Sequence, residues 1–106
     1  MSAATVFDSQ LFGNIFGTKE IRSCFSETSY VARLIEAECA LAEAEEQEGV
    51  IPKGTAAVIR AHSDVGNVNW PVLAEKTEIV GYPVLPLIEQ MSSWVPEEAG
   101  KLELLL

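Results

Sequence analysis

Few side chains in this sequence are suited to acid–base or nucleophilic chemistry. The chain has one histidine, His62, and two cysteines, Cys24 and Cys39. A catalytic triad needs a histidine beside a nucleophile and a carboxylate, and a zinc site needs several ligands at set spacings. Neither arrangement can be assembled around these residues. We therefore expect no catalytic residue and no metal site, and we expect His62 to contact the carbonyl groups at a helix end rather than a ligand.

Cationic side chains are scattered along the chain without a cluster. Seven basic residues face sixteen acidic ones, which gives a net charge of −9. Such a charge repels phosphate backbones and anionic lipid, so we expect no nucleic-acid or membrane-surface partner. The cations are Lys19, Arg22, Arg33, Lys53, Arg60, Lys76 and Lys101.

The 106 residues predict one globular domain, because 48% are hydrophobic and 22% are charged. The sequence contains no apolar run of the roughly 20 residues that a membrane helix needs, and no signal-peptide pattern at its start. We expect a cytoplasmic protein in which Cys24 and Cys39 are free thiols that behave as small hydrophobic residues.

The strongest structural signal is an apolar stripe at helical spacing, which predicts a long amphipathic helix from about residue 27 to 48. Ser26 is the expected N-cap, and Gly49 followed by Pro52 gives the stop signal. Shorter helices are expected before it, after Pro52, after an Asn69 cap, and from Leu87 onward. The sequence therefore predicts an all-α domain of four to five helices, without alternation typical of strands.

Glu38 interrupts the apolar stripe of the long helix. It either lies at the edge of the stripe and reaches water, or it is buried and paired, because a buried unpaired charge is costly. Arg22 and Arg33 are candidate partners, and Arg22, on the preceding helix, is the one we select for a structural ion pair with Glu38.

The segment from Gly81 to Ile88, with the sequence GYPVLPLI, is an apolar loop stiffened by two prolines. Either Pro83 and Pro86 merely stiffen a connection between helices while Tyr82 half-buries its ring, or the loop serves a binding function. Composition alone leaves both interpretations open.

Several sequence motifs, occurring in the same order along the chain, resemble the N-terminal domain of the fumarase/aspartase superfamily. They are FGT leading to IR, a phenylalanine–serine helix entry, EAECALAEAEEQEGVIP, and the GYPVLPLI loop; the match runs from Leu11 to Met91. Within the superfamily, the sequence is most similar to the 3-carboxy-cis,cis-muconate cycloisomerase branch, with adenylosuccinate lyase next.

This resemblance implies a helical domain, at residues 1–100, that caps the central bundle of a homotetrameric lyase needing no cofactor. It implies that Gly81, Tyr82 and Pro83 border a cleft that takes a small dicarboxylate or tricarboxylate in the full-length enzyme. The family often has histidine or asparagine where this chain has Tyr82. The chain departs from the family pattern after Lys101, so we expect residues 101–106 to be an atypical end that is cut, reframed or continued in a longer protein.

Two hypotheses of function follow. In the first, the chain is the cap domain of a cycloisomerase- or adenylosuccinate lyase-like enzyme and is inactive alone. In the second, it is a self-sufficient helical module for binding or oligomerisation. In both, uncovered apolar surface predicts self-association.

Overall fold

The computed structural model describes residues 4–96, and within that range it contains six α-helices, one 3₁₀ turn and no strand. The prediction of an all-α fold is confirmed, and the number of helices is six rather than the four to five expected. The predicted end at residues 101–106 lies outside the described residues. The helices are α1 (Gly13–Phe16), α2 (Lys19–Cys24), α3 (Glu27–Gln47), α4 (Thr55–His62), α5 (Trp70–Val80) and α6 (Val84–Trp94), with the 3₁₀ turn at Val65–Asn67.

The chain divides into two compact units, Met1–Val31 and Ala32–Leu106. The described part of the first unit holds α1, α2 and the first residues of α3. α1 is the extra helix, a single turn between two glycines. α2 begins at the Thr18 N-cap, whose hydroxyl accepts a hydrogen bond from the N–H of Ile21 at 3.2 Å.

α3 begins and ends at the signals that the sequence contains. The Ser26 hydroxyl accepts a hydrogen bond from the N–H of Ser29 at 3.2 Å, as expected of an N-cap. At the other end, Gly49 adopts a φ of +78°, and the N–H groups of Gly49 and Val50 bond to the carbonyls of Glu46 and Glu45. This pair of bonds is a Schellman motif, so α3 ends one residue before the predicted boundary.

The second unit has an apolar core to which α3, α4, α5 and α6 all contribute. Ile59, Leu87 and Met91 are almost completely removed from solvent. These side chains fill the interior at helical spacing, and burial of such side chains is the main driving force for folding. The other buried hydrophobic residues of this unit are Ile35, Cys39, Ala42, Ile51, Ala56, Val68, Leu73, Ile88 and Val95.

Three side chains of α3 hold α4 in the second unit. The Glu46 carboxylate accepts a hydrogen bond from the N–H of Ala56 at 3.1 Å, where the N-cap residue Gly54 has no side chain to do so. On the surface, the Arg60 guanidinium bonds to Glu36 at 2.7 Å and to Glu43 at 2.6 Å. These carboxylates raise the pKa of Arg60, and Arg60 lowers the pKa of Glu36.

α5 and α6 form a helical hairpin around Gly81. Asn69 caps α5 as predicted, its side chain accepting from the N–H of Val72 at 3.2 Å. α6 begins at Val84, three residues before the predicted start at Leu87. Pro86 therefore lies inside the first helical turn, where a missing N–H costs nothing because that turn has no intrahelical acceptors.

None of the helices described between residues 4 and 96 combines the length and the apolar character needed to cross a membrane.

Candidate functional site

The candidate site is the turn between α5 and α6, formed by Gly81, Tyr82 and Pro83. Gly81 has a φ of +99°, and its N–H donates to the carbonyl of Thr77 at 2.7 Å, which closes the last turn of α5. A residue with a Cβ is strained at this φ, so glycine suits the position. Pro83 follows as the N-cap residue of α6. The turn is therefore tight and has little conformational freedom.

Tyr82 lies at the outer edge of this turn with about half of its surface exposed. Its hydroxyl group can donate and accept hydrogen bonds. The N–H groups of Val84 and Leu85 lie in the first turn of α6, which has no intrahelical acceptors. The turn thus offers uncharged N–H and O–H groups that could donate hydrogen bonds to a carboxylate, but it contains no cation.

Apolar side chains surround the turn on the protein surface. Ile79 at the end of α5, together with Val80, Tyr82 and Leu85, is exposed, and the segment from Ile79 to Ile88 contains no charged residue. In a chain of net charge −9, this uncharged apolar tip is suited to contact with another surface rather than with water.

Side chains between α5 and α6 hold the hairpin that presents the turn. Gln90 on α6 accepts from the N–H of Asn69 at 2.9 Å and donates to the Asn69 carbonyl at 3.2 Å. The Lys76 ammonium donates to Glu89 at 3.1 Å. The two hydrogen bonds of the Gln90 side-chain amide fix the start of α5 against α6. Sequence reasoning missed this contact, because no local pattern pairs residues twenty-one positions apart.

Arg22 and Glu38, the proposed ion pair, belong to different units, Arg22 to the first and Glu38 to the second. Arg22 donates to the Gly13 carbonyl at 2.9 Å and to the Asn14 side chain at 3.1 Å, both within the first unit. Glu38 is 7% exposed, and its Oε2 atom has no hydrogen-bond partner among the described residues. Burial raises the pKa of Glu38, and the nearby Glu45 raises it further. Their pairing stays a prediction.

His62 and the two cysteines have simple local environments. The Nδ1 atom of exposed His62 lies 2.9 Å from the Val58 carbonyl in the last turn of α4, as the sequence predicts. Both cysteines are free; Cys24 is exposed and Cys39 is buried. Burial raises the pKa of the Cys39 thiol, and the nearby Ser63 hydroxyl partly offsets this increase.

The first unit contains a concave surface that sequence reasoning did not identify. It is a groove of about 700 Å³ in which the aromatic rings of Phe7, Phe16 and Phe25 lie near Arg22. Phe7 and Phe16 contact each other edge to face, with ring centroids 6.4 Å apart. The spacing of these phenylalanines is irregular, so no periodic signal reveals that they share one surface.

Comparison with known proteins identifies relatives that are much longer than this chain. No family model matches the sequence. Trans-aconitate decarboxylase 1 of Mycosarcoma maydis is 39% identical over 90 residues, which are 85% of this chain and 17% of that protein. An uncharacterised protein of Schizosaccharomyces pombe is 37% identical over 97 residues, which are 92% of this chain and 22% of that protein.

Two solved structures share both fold and sequence with the chain. The fumarate lyase from Mesorhizobium sp. BNC1 is 40% identical with a TM-score of 0.71, over 79% of this chain and 20% of that one. The β-carboxy-cis,cis-muconate cycloisomerase from Acinetobacter calcoaceticus sp. ADP1 is 31% identical with a TM-score of 0.77, over 87% and 22%. The chain thus spans about a fifth of the length of these relatives. Over this aligned part, the chain is similar in sequence and fold to lyases of the fumarase/aspartase superfamily.

Proposed function

We propose that this chain is the N-terminal cap domain of a lyase similar to 3-carboxy-cis,cis-muconate cycloisomerase or adenylosuccinate lyase, and that it is inactive as an isolated chain. The observation that supports the proposal is that the alignments cover most of this chain but only a small part of each relative. Most of this chain aligns with superfamily enzymes at 31–40% identity, yet it accounts for only about a fifth of their length.

The names of the relatives indicate a substrate class for the full-length enzyme. Trans-aconitate, carboxymuconate and fumarate are all small molecules with two or three carboxylates. We assign the same class to the complete protein of which this chain would form part. In that enzyme Gly81, Tyr82 and Pro83 border the substrate cleft and contribute hydrogen-bond donors rather than charge.

The cations that hold those carboxylates come from outside the chain. Within the described residues, Arg22 already bonds to Gly13 and Asn14, Arg60 to two glutamates, and Lys76 to Glu89. An elimination reaction also needs a general base within reach of the proton removed. His62 contacts the carbonyl of Val58 at a helix end. The other described cations, Lys19, Arg33 and Lys53, are scattered along the sequence, and we therefore assign both tasks to residues outside this chain.

Partners and location follow from the same proposal. The isolated chain self-associates through apolar surface that the rest of a lyase covers, and it takes no nucleic-acid or membrane partner. Free Cys24 and Cys39 suit the reducing cytoplasm, where we place the protein.

The alternative is a self-sufficient helical module for binding or oligomerisation, without enzymatic activity. Its support is the exposed apolar tip at Ile79, Val80, Tyr82 and Leu85, which would then be a binding surface in its own right. The two proposals differ in whether the chain functions when joined to a lyase.

The test is a spectrophotometric assay of the purified chain with 3-carboxymuconate and adenylosuccinate. We expect no turnover of either compound. Turnover that survives repurification and is lost in Tyr82→Phe or His62→Ala would contradict the proposal. A graft in which this chain replaces the aligned fifth of the muconate cycloisomerase should turn over 3-carboxymuconate; a folded but inactive graft would favour the alternative.

A further inference from the structure

The groove of the first unit combines a shielded cation with exposed aromatic rings. Its volume of about 700 Å³ lies within the roughly 300–1,000 Å³ that is typical of small-molecule sites. Arg22 and Ser26 are half-buried in its lining, whereas the rings of Phe7, Phe16 and Phe25 are between 55% and 83% exposed. The guanidinium is therefore more shielded from solvent than the rings that share the groove.

Arg22 has hydrogen-bond partners in the first unit but no counter-charge. Its guanidinium donates to the Gly13 carbonyl at 2.9 Å and to the Asn14 side chain at 3.1 Å, and both acceptors are neutral. No ion pair among residues 4–96 involves Arg22. A guanidinium presents its N–H groups as a fork that matches the two oxygens of a carboxylate. Arg22 can keep its two bonds and still offer its other N–H groups to an anion.

Two glycines leave space beside this guanidinium. A Cβ atom at Gly13 or Gly17 would lie 3.6 Å or 3.9 Å from the Nη1 atom of Arg22, and both glycines line the groove. Gly17 has an extended backbone with a φ of −175°, so its conformation does not require glycine. The missing side chains leave room for a ligand atom beside Nη1.

The acidic residues of the groove limit how many carboxylates a ligand can carry. Asp8 and Glu27 also line the groove, and both are exposed. Asp8 accepts a hydrogen bond from the Thr5 hydroxyl at 3.2 Å, and Glu27 lies in the first turn of α3, where the helix dipole offsets its charge. Arg22 attracts one negative charge, whereas these carboxylates repel a second. The groove therefore suits one carboxylate rather than two or three.

The aromatic rings indicate what the rest of the ligand is. Phe7 and Phe16 contact each other edge to face, with ring centroids 6.4 Å apart, and Phe25 lines the same groove. An aromatic ligand can add edge-to-face or stacked contacts to these rings, whereas a saturated chain gains only from the burial of its apolar surface.

We propose that the groove of the first unit binds a monocarboxylate with an aromatic body. The carboxylate accepts hydrogen bonds from Arg22, and the aromatic ring packs against Phe16 and Phe25. This ligand differs from the dicarboxylates and tricarboxylates assigned to the full-length enzyme. The inference goes beyond the proposed function and does not depend on it, because every residue it uses lies within the first unit of this chain.

Titration of the full chain with 4-phenylbutyrate, followed by amide NMR, tests the proposal. We expect chemical-shift changes confined to residues 7–27 and a dissociation constant of about 1 mM or lower. The control 4-phenylbutan-1-ol has the same ring without the charge, and fumarate has two carboxylates without a ring. Both should bind at least about tenfold more weakly. Absence of shifts at about 10 mM 4-phenylbutyrate would overturn the proposal, as would equal binding of either control.

Substitution of the cation tests which group holds the carboxylate. Arg22→Gln should weaken the binding of 4-phenylbutyrate at least about tenfold. Lys19→Gln also removes a cation from the first unit, but Lys19 does not line the groove, so binding should stay the same. An unchanged dissociation constant in Arg22→Gln would overturn the proposal.

A second pair of variants leaves the hydrogen bonds of Arg22 to Gly13 and Asn14 intact. Phe25 is 83% exposed, so Phe25→Ala should keep the circular dichroism of the chain and weaken binding about threefold or more. Phe12→Ala removes another exposed ring of this unit that does not line the groove, and binding should not change. Equal effects of the two substitutions would show that the groove does not hold the aromatic body.

Discussion

The Glu46 carboxylate on α3 lies 3.1 Å from the backbone N–H of Ala56 and caps α4, ten residues further along the chain. Gly54, the N-cap residue of α4, has no side chain and a φ of +88°, so the usual local cap is absent. A side chain from one helix thus completes the first turn of another and fixes the path of the connection between them.

Replacing Glu46 with alanine should destabilise the second unit. Loss of an N-cap acceptor costs about 0.5–2 kcal/mol of unfolding free energy. Urea denaturation followed by circular dichroism gives this difference. Glu48→Ala, at the exposed residue that follows α3, is the matched control and should change stability little. Equal effects of the two substitutions would show that the Glu46 contact does not stabilise α4.

Replacing Glu38 with methionine should stabilise the chain at pH 7. Burial and Glu45 raise the pKa of Glu38, so the folded state binds this proton more tightly than the unfolded state. The contribution of protonated Glu38 is therefore present below its ordinary pKa of 4.5 and is lost as pH rises through the raised folded value. Glu38 Oε2 has no hydrogen-bond partner among the described residues, so removing this buried carboxylate should raise the unfolding free energy by about 1–3 kcal/mol.

The gain in Glu38→Met should shrink as pH falls toward 4, because the wild-type carboxyl is then neutral in the folded state. Unfolding free energies measured by urea titration between pH 4 and 8 give the comparison. Glu75→Met, on the exposed surface of α5, serves as the control and should show no such trend. A gain that is constant across the range would contradict the link to Glu38 ionisation.

Cys24 should react with iodoacetamide much faster than Cys39 in the native chain. Cys24 is exposed, whereas Cys39 is 2% exposed and has a raised thiol pKa, so little thiolate forms there. Peptide mass spectrometry at timed intervals, without reductant, gives the two rates. In urea both thiols should become modified. An intramolecular disulfide would contradict both the free thiols and the proposed compartment.

Replacing Gln90 with leucine should loosen the start of α5. The side-chain amide makes two bonds to the Asn69 backbone, and each such bond contributes about 0.5–1.5 kcal/mol. Gln90→Glu retains the acceptor for the Asn69 N–H and removes only the donor, so it should lose less stability. Hydrogen exchange at Asn69 should accelerate most in the leucine variant. The reverse order of the two variants would show that the contact acts through something other than these bonds.

Local signals in the sequence predicted where several helices begin and end. Ser26, Asn69 and Gly81 act through residues within a few positions, so their roles can be recognised without tertiary contacts. The predicted start of α6 at Leu87 was wrong because Pro86 was assigned to a loop. Proline is tolerated in the first turn of a helix as well as in a loop, and the sequence around Pro86 did not distinguish these two positions.

Contacts between distant positions could not be predicted from the sequence. Glu46 and Gln90 look like ordinary surface residues of amphipathic helices, and their bonds to Ala56 and Asn69 depend on how the helices pack. The candidate site likewise combines a feature that local sequence predicts with one that depends on packing. Gly81 was predictable from turn chemistry, whereas the exposed surroundings of Tyr82 needed the fold.

The positive φ of Gly81 has a consequence for the handedness of any residue placed there. A D-amino acid is the mirror image of an L-residue and prefers the φ of +99° that this turn requires. Among the described residues, no heavy atom beyond the two chain neighbours of Gly81 lies within 4 Å of the position that an L-residue's Cβ would occupy. L-alanine would therefore be disfavoured by backbone strain rather than by crowding. D-alanine, introduced by chemical ligation, would restrict the unfolded chain without straining the folded one. The connection between α5 and α6 is thus a point at which inverted chirality should strengthen the protein.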